Sequence, residues 1–147
     1  MEVRDDFLSV SQYQYIDDFV RNKAKYRYRY QDTVMTGELD DEGLSYFPKE
    51  INGRKYVRHQ INCWAQRSLS VFHVDLYEEE SSCITLVYYV NPTYELDEGG
   101  WTEILLNDEI TSIRPVCNRA LIFDGGRFHR ATPYRSHPRF TVGIKYI

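Results

Sequence analysis

The sequence predicts a mainly β (α+β) protein, a double-sheet jelly roll or barrel, with helix confined to its N-terminal part. Three observations predict it. From residue 55 onward, short apolar or alternating runs recur at close spacing, separated by Gly, Asn and Asp turn signals. The chain carries 13 Tyr against 7 Phe, and tyrosine suits strands, where the ring packs and the hydroxyl reaches a polar edge. A helical period occurs only near the start, where Tyr13, Ile16, Phe19 and Val20 form one stripe and Asp17 and Asp18 fall off it.

The first element is a short strand end followed by that helix. Ser9 or Ser11 can cap it, because each has a Gln three residues later and so fits a capping box. The stretch KAKYRYRYQ, residues 23–31, alternates cations with rings. Such a pattern suits a nucleic-acid surface. It equally suits a strand with tyrosines on one face and charges on the other, and the net charge of −4 favours the strand. Residues 36–56, polar and rich in turn signals, read as a long loop with a hairpin turn at Asn52-Gly53. Eight strands are then expected, at 56–63, 69–75, 83–91, 101–106, 110–116, 119–124, 128–132 and 139–147. The length of 147 residues fits one domain, 1–147, large enough to bury a core.

Composition excludes several classes. No basic field draws the chain to nucleic acid or a membrane surface. The longest apolar run, near 84–90, is far too short to span a bilayer. Cys63, Cys83 and Cys117 are odd in number and form no CxxC, which points to free thiols in a reducing compartment. The N-terminus is acidic where a secretory signal needs a basic start. A cytoplasmic protein is expected.

Chemistry enters with SVFHVDLY. His73 and Asp75 are two apart on an expected strand, so both side chains point to one face. His-x-Asp alone is weak evidence for a metal, since a solvent-facing polar pair looks the same. His129 supplies a possible third ligand on another strand, after a glycine turn. Two His and one carboxylate form the facial triad of non-haem Fe(II) oxygenases, which leaves coordination positions open. Arg139 starts the next expected strand. A buried arginine needs an anion, and a carboxylate matches its fork; a protein Asp or Glu is the ordinary partner.

HVD, CITLVYYVN, GG, NRALIFDGGRFH and Arg139, in this order, resemble the Fe(II)/2-oxoglutarate-dependent dioxygenases, in particular their prolyl-4-hydroxylase-like branch and small phage-type oxygenases. The resemblance spans about residues 61–147. It implies a double-stranded β-helix, cupin-like, with one or two N-terminal helices packed outside. It implies that His73, Asp75 and His129 bind Fe(II), that Arg139 pairs with the far carboxylate of 2-oxoglutarate, and that Thr141 and Tyr89 hydrogen-bond that carboxylate. Tyr88 is expected to face the opposite way. O2 would be the second co-substrate, with succinate and CO2 as products beside a hydroxylated C–H. The implied substrate is a prolyl residue in a peptide or protein. The alternatives are a small molecule such as a free amino acid, a nucleic-acid base, which the acidic balance argues against, and a non-catalytic metal-binding barrel.

The pattern also departs from that branch. The tyrosine usual on the strand before HxD is missing, with Trp64 or Asn62 in its neighbourhood. The tryptophan near the chain end is missing too, and Lys145 lies about there. The acidic run at 78–80 reads as a solvated turn, and Trp101 as either a pocket wall or a packing residue.

Overall fold

The computed structural model describes residues 1–28, 34–76 and 82–147. The chain runs β1 (Glu2–Arg4), α1 (Val10–Asp18), a π-helical turn (Phe19–Lys23), β2 (Arg27–Tyr28), β3 (Val34–Gly37), α2 (Asp41–Ser45), β4 (Glu50–Ile51) and β5 (Arg54–Trp64). It continues with β6 (Ile84–Tyr89), a 3-10 turn (Leu96–Glu98), β7 (Thr102–Leu106), β8 (Glu109–Ile113), β9 (Ala120–Asp124), β10 (His129–Ala131) and β11 (Arg139–Tyr146). The larger sheet has the order β1-β9-β6-β11-β5-β3-β2, with β4 beside β5; the smaller has the order β10-β7-β8. Every pairing is antiparallel. Two facing antiparallel sheets with helices on one outer face make the double-stranded β-helix.

Ser9 is the residue that caps α1. Its hydroxyl accepts from Gln12 N, and the Gln12 side chain accepts from Ser9 N at 3.1 Å, which closes the capping box. Ile16 and Val20 are fully buried, as the stripe requires. They pack on Ile61, Leu86, Tyr88, Val142, Ile144 and Tyr146, the outer face of the larger sheet. Alternation sends the residues between these to the other face, where Tyr89, Leu121 and Phe123 meet Ile104 and Ile113 of the smaller sheet. One periodicity therefore builds two cores. It places Thr85, Arg139, Thr141 and Lys145 between the sheets, and Tyr88 among the helices with its hydroxyl on Asn118 Oδ1 at 2.8 Å.

Two expectations are corrected. Residues 36–56 are not one long loop. Asp40 caps the short helix α2 by accepting from Gly43 N, and β4 returns onto β5 through Asn52-Gly53, both at positive φ. Residues 69–75 form no regular strand either. Only His73 bridges His129, because the Ser70 hydroxyl takes Ala131 N at 2.7 Å, where a strand would supply a carbonyl. Of the basic-aromatic stretch, Lys23 lies in the π turn and Arg27 and Tyr28 are exposed on β2; its last three residues lie outside the described residues, as does the acidic run at 78–80. No helix among the described residues is long and apolar enough to cross a membrane.

Candidate active site

Between the sheets lies a cleft of about 580 Å³. His73, Asp75 and His129 stand on its wall, and one ligand atom from each lies within 4.8 Å of the others. His73 and His129 face each other because their main chains exchange two hydrogen bonds, at 3.0 and 2.9 Å. Asp75 is brought in by its own N–H, which donates to Gly125 O at 2.8 Å. Gly125 allows this approach, since a Cβ there would lie 2.4 Å from Cys83 Sγ and 2.6 Å from Thr85 Oγ1.

The donor set fits a metal ion. His73 Nδ1 is 3.0 Å from Val71 O, and His129 Nδ1 is 2.8 Å from Arg127 O. A carbonyl can only accept, so each Nδ1 carries a proton and each Nε2 is the nitrogen left to face a metal. Those two Nε2 atoms stand 3.7 and 3.5 Å from the Asp75 carboxylate oxygens. Burial opposes ionisation of Asp75, but His129 and the Thr85 hydroxyl outweigh it, and the carboxyl is held below its usual range. Burial likewise opposes charge on His129, and the Asp75 carboxylate reverses the balance and raises it. Two imidazoles that present Nε2 and a carboxylate on one face, opening on a cleft, form a facial triad suited to Fe(II), whose binding would take the place of a proton on His129 Nε2.

Deeper in the cleft Arg139 is 3% exposed. Its Nε donates to Gly100 O at 3.0 Å and its Nη2 to Thr102 Oγ1 at 2.9 Å. No carboxylate among the described residues forms an ion pair with it. Burial lowers its pKa, and the Tyr89 and Tyr134 rings nearby only partly offset that. The Tyr89 ring lies 5.6 Å from the guanidinium carbon, and its hydroxyl donates to Thr102 Oγ1 at 2.7 Å. Tyr89 therefore reaches Arg139 but does not itself line the cleft; Thr102 and Thr141 do. Gly100 sits at φ +77°, and a Cβ there would lie 2.1 Å from the Tyr134 ring.

Trp64 and Asn62 both line the cleft. Trp101 does not; it borders a shallow depression with Tyr94, Arg114 and Tyr134. The other histidines lie apart from the triad. His59 Nε2 accepts from Leu39 N at 3.1 Å, and His137 stacks on Tyr94. Sequence reasoning missed Thr85, whose hydroxyl donates to Asp75 Oδ2 at 2.6 Å, and Thr102. A signal for Thr85 existed, since it lies four residues before Tyr89 and so on the same strand face. It also missed that Arg58 and Lys145 both donate to the Asp75 main-chain oxygen.

A double-stranded β-helix that carries a His-Asp-His triad beside a buried arginine defines a class of metal-dependent oxygenase fold. The 2OG-Fe(II) oxygenase superfamily model matches residues 53–145, and the chain belongs to that superfamily, with Fe(II) and 2-oxoglutarate as its cofactor and co-substrate and O2 as oxidant. The fold is similar to a prolyl hydroxylase from Trichoplax adhaerens in complex with a hypoxia inducible factor peptide fragment, with a TM-score of 0.78, 15% identity, and coverage of 99% of this chain and 82% of that one. It is similar to a Pseudomonas putida prolyl-4-hydroxylase, with a TM-score of 0.79, 13% identity, and coverage of 99% and 90%. HygX from Streptomyces hygroscopicus with nickel, 2-oxoglutarate and hygromycin B bound matches with a TM-score of 0.70, 8% identity, and coverage of 98% and 81%.

Proposed function

We propose that this chain, acting as one domain over residues 1–147, hydroxylates a prolyl residue in a peptide or protein. His73, Asp75 and His129 hold the Fe(II), and Arg139, Thr141 and Tyr89 serve the far carboxylate of 2-oxoglutarate. The observation that carries the reading is a buried Arg139 at the end of the same cleft that exposes the triad. A buried guanidinium with no carboxylate partner among the described residues suits an incoming carboxylate.

Bound Fe(II) supplies O2 activation coupled to oxidative decarboxylation of 2-oxoglutarate to succinate and CO2. The chain's own residues prepare the site. The carbonyls of Val71 and Arg127 fix the tautomers and ring directions of the two histidines. Thr85 holds one Asp75 oxygen. Arg139 offers its fork to the co-substrate carboxylate, and Thr141, two residues along the same strand face, adds a hydroxyl. Thr102 Oγ1 accepts from both Arg139 and Tyr89, so its own proton is left to donate toward that carboxylate. Tyr89 contributes by fixing Thr102. The apolar layer of Ile104, Leu121 and Phe123 keeps water from the inner end.

Support for a peptide substrate comes from the similarity to prolyl hydroxylases, one of them in complex with a peptide fragment, and from exposed apolar Leu69 and Val71 on the cleft wall. The similarity to a protein holding hygromycin B keeps small molecules on the test panel. The test is mass spectrometry of prolyl peptides, free amino acids and oligonucleotides after incubation with Fe(II), 2-oxoglutarate and O2. A gain of one oxygen on proline only supports the reading. Oxidation of another panel member with proline untouched contradicts the prolyl assignment.

A further inference from the structure

We infer that Lys145 is a positioning residue for the metal: it holds Asp75 in its ligating pose, and its charge biases the centre toward the ferrous state. This rests on the Fe(II) oxygenase reading above. Lys145 lies on the inner face of β11 and is 4% exposed. Its Nζ donates to the Asp75 main-chain oxygen at 2.7 Å. In register, Lys145 stands beside Arg58 of β5 and Thr85 of β6. Arg58 Nη2 reaches the same Asp75 oxygen at 3.3 Å, and Thr85 Oγ1 reaches the Asp75 carboxylate at 2.6 Å. Three adjacent strands thus converge on one residue.

Asp75 needs that hold. It lies in a bend outside any regular strand, and among the described residues its N–H is tied only to Gly125 O. His73 and His129 are cross-linked by their own main chains, so the carboxylate arm of the triad is the one fixed chiefly by side chains. Lys145 is the more buried of the two cations on it and makes the shorter contact. A cation beside a ligand's own peptide, in a partly enclosed cleft, opposes any further rise in positive charge at the metal. It therefore destabilises Fe(III) relative to Fe(II) and raises the midpoint potential.

Three variants separate orientation from charge. Lys145→Arg keeps both the donor and the charge, Lys145→Gln keeps a donor only, and Lys145→Met keeps neither. Each is titrated anaerobically with Fe(II) alone against a competing chelator, and its midpoint potential is then measured by mediated titration. Circular dichroism verifies the fold. The expected result is Fe(II) binding about tenfold weaker in Lys145→Met, a smaller loss in Lys145→Gln, and near wild-type binding in Lys145→Arg. The midpoint potential falls in both uncharged variants and holds in Lys145→Arg. If folded Lys145→Met or Lys145→Gln keeps both the wild-type affinity and the wild-type potential, the inference is overturned. If the wild type itself binds no Fe(II), the oxygenase reading fails and takes the inference with it. Should Lys145→Met not fold, Lys145→Gln, uncharged but still polar, carries the test on potential.

Discussion

Arg139 Nη2 and Tyr89 Oη converge on one atom, Thr102 Oγ1, at 2.9 and 2.7 Å. Three strands, β11, β6 and β7, meet in that contact, which closes the inner end of the cleft from both sheets. With both lone pairs of the Thr102 oxygen engaged, its hydroxyl proton is left to donate, under the proposed function to the co-substrate carboxylate that Arg139 would hold. Arg139→Ala should raise the 2-oxoglutarate concentration needed for half-maximal turnover by about a hundredfold or more, since truncating one partner of a buried charge pair costs about 3–5 kcal/mol. Thr102→Val should raise it about tenfold, the loss of one hydrogen bond to a charged group. Saturation curves of succinate formation check both; superposition of either on the wild type contradicts the clamp.

Gly100 sets the seat of Arg139. Its carbonyl accepts from Arg139 Nε, its φ is +77°, and a Cβ would enter the Tyr134 ring. Gly100→Ala should therefore lower Tm and weaken 2-oxoglutarate use together, because either the backbone or Tyr134 must move. Thermal melts and the same saturation curve measure it. An alanine variant with unchanged values for both would show that this turn yields freely.

His59 makes one contribution to the pH dependence of stability. Burial lowers its pKa from 6.5, and its Nε2 already accepts Leu39 N–H. The unfolded chain therefore binds a proton at His59 that the folded chain refuses. Stability from this group is full above pH 6.5 and is lost as pH falls below it, toward the depressed folded value. Wild-type Tm should drop more steeply from pH 7.5 to 5.5 than that of His59→Gln, each compared with its own value at pH 7.5. Parallel curves would remove His59 from the acid response.

The capping box gives a local check on the N-terminal helix. Ser9→Ala removes the acceptor for Gln12 N and should destabilise the fold by about 1 kcal/mol, with turnover per folded molecule unchanged. Chemical denaturation reads the first quantity. A shift near zero would mean that packing of residues such as Tyr13 and Ile16 on the core holds α1 without the cap.

Much of this was legible in the sequence because β alternation sorts residues by parity. Tyr88 and Tyr89 are adjacent, and one faces the helices while the other faces Arg139. His73, Asp75 and His129 were readable as ligand types in chain order; the His73–His129 bridge and the Asp75 N–H to Gly125 O bond are what bring them together. The segment 69–75 misled as a strand, because a Ser70 side chain substitutes for a main-chain acceptor and nothing in its pattern marks that. The helix α2 hid in a polar stretch because a five-residue helix has no apolar period to display; its only mark is the Asp40 cap. Thr102, and the contact of Lys145 with Asp75, escaped notice because their roles depend on cross-sheet and cross-strand contacts rather than on any local spacing.

The most direct test of the central claim is anaerobic. Fe(II) and 2-oxoglutarate are added to the metal-free protein, and the weak visible charge-transfer band of the bound chelate is sought. A band in the wild type that is lost in His129→Ala, with the variant still folded, is the predicted result. No band with correctly folded wild-type protein would contradict the account, because His73, Asp75 and His129 would then not present an open iron site.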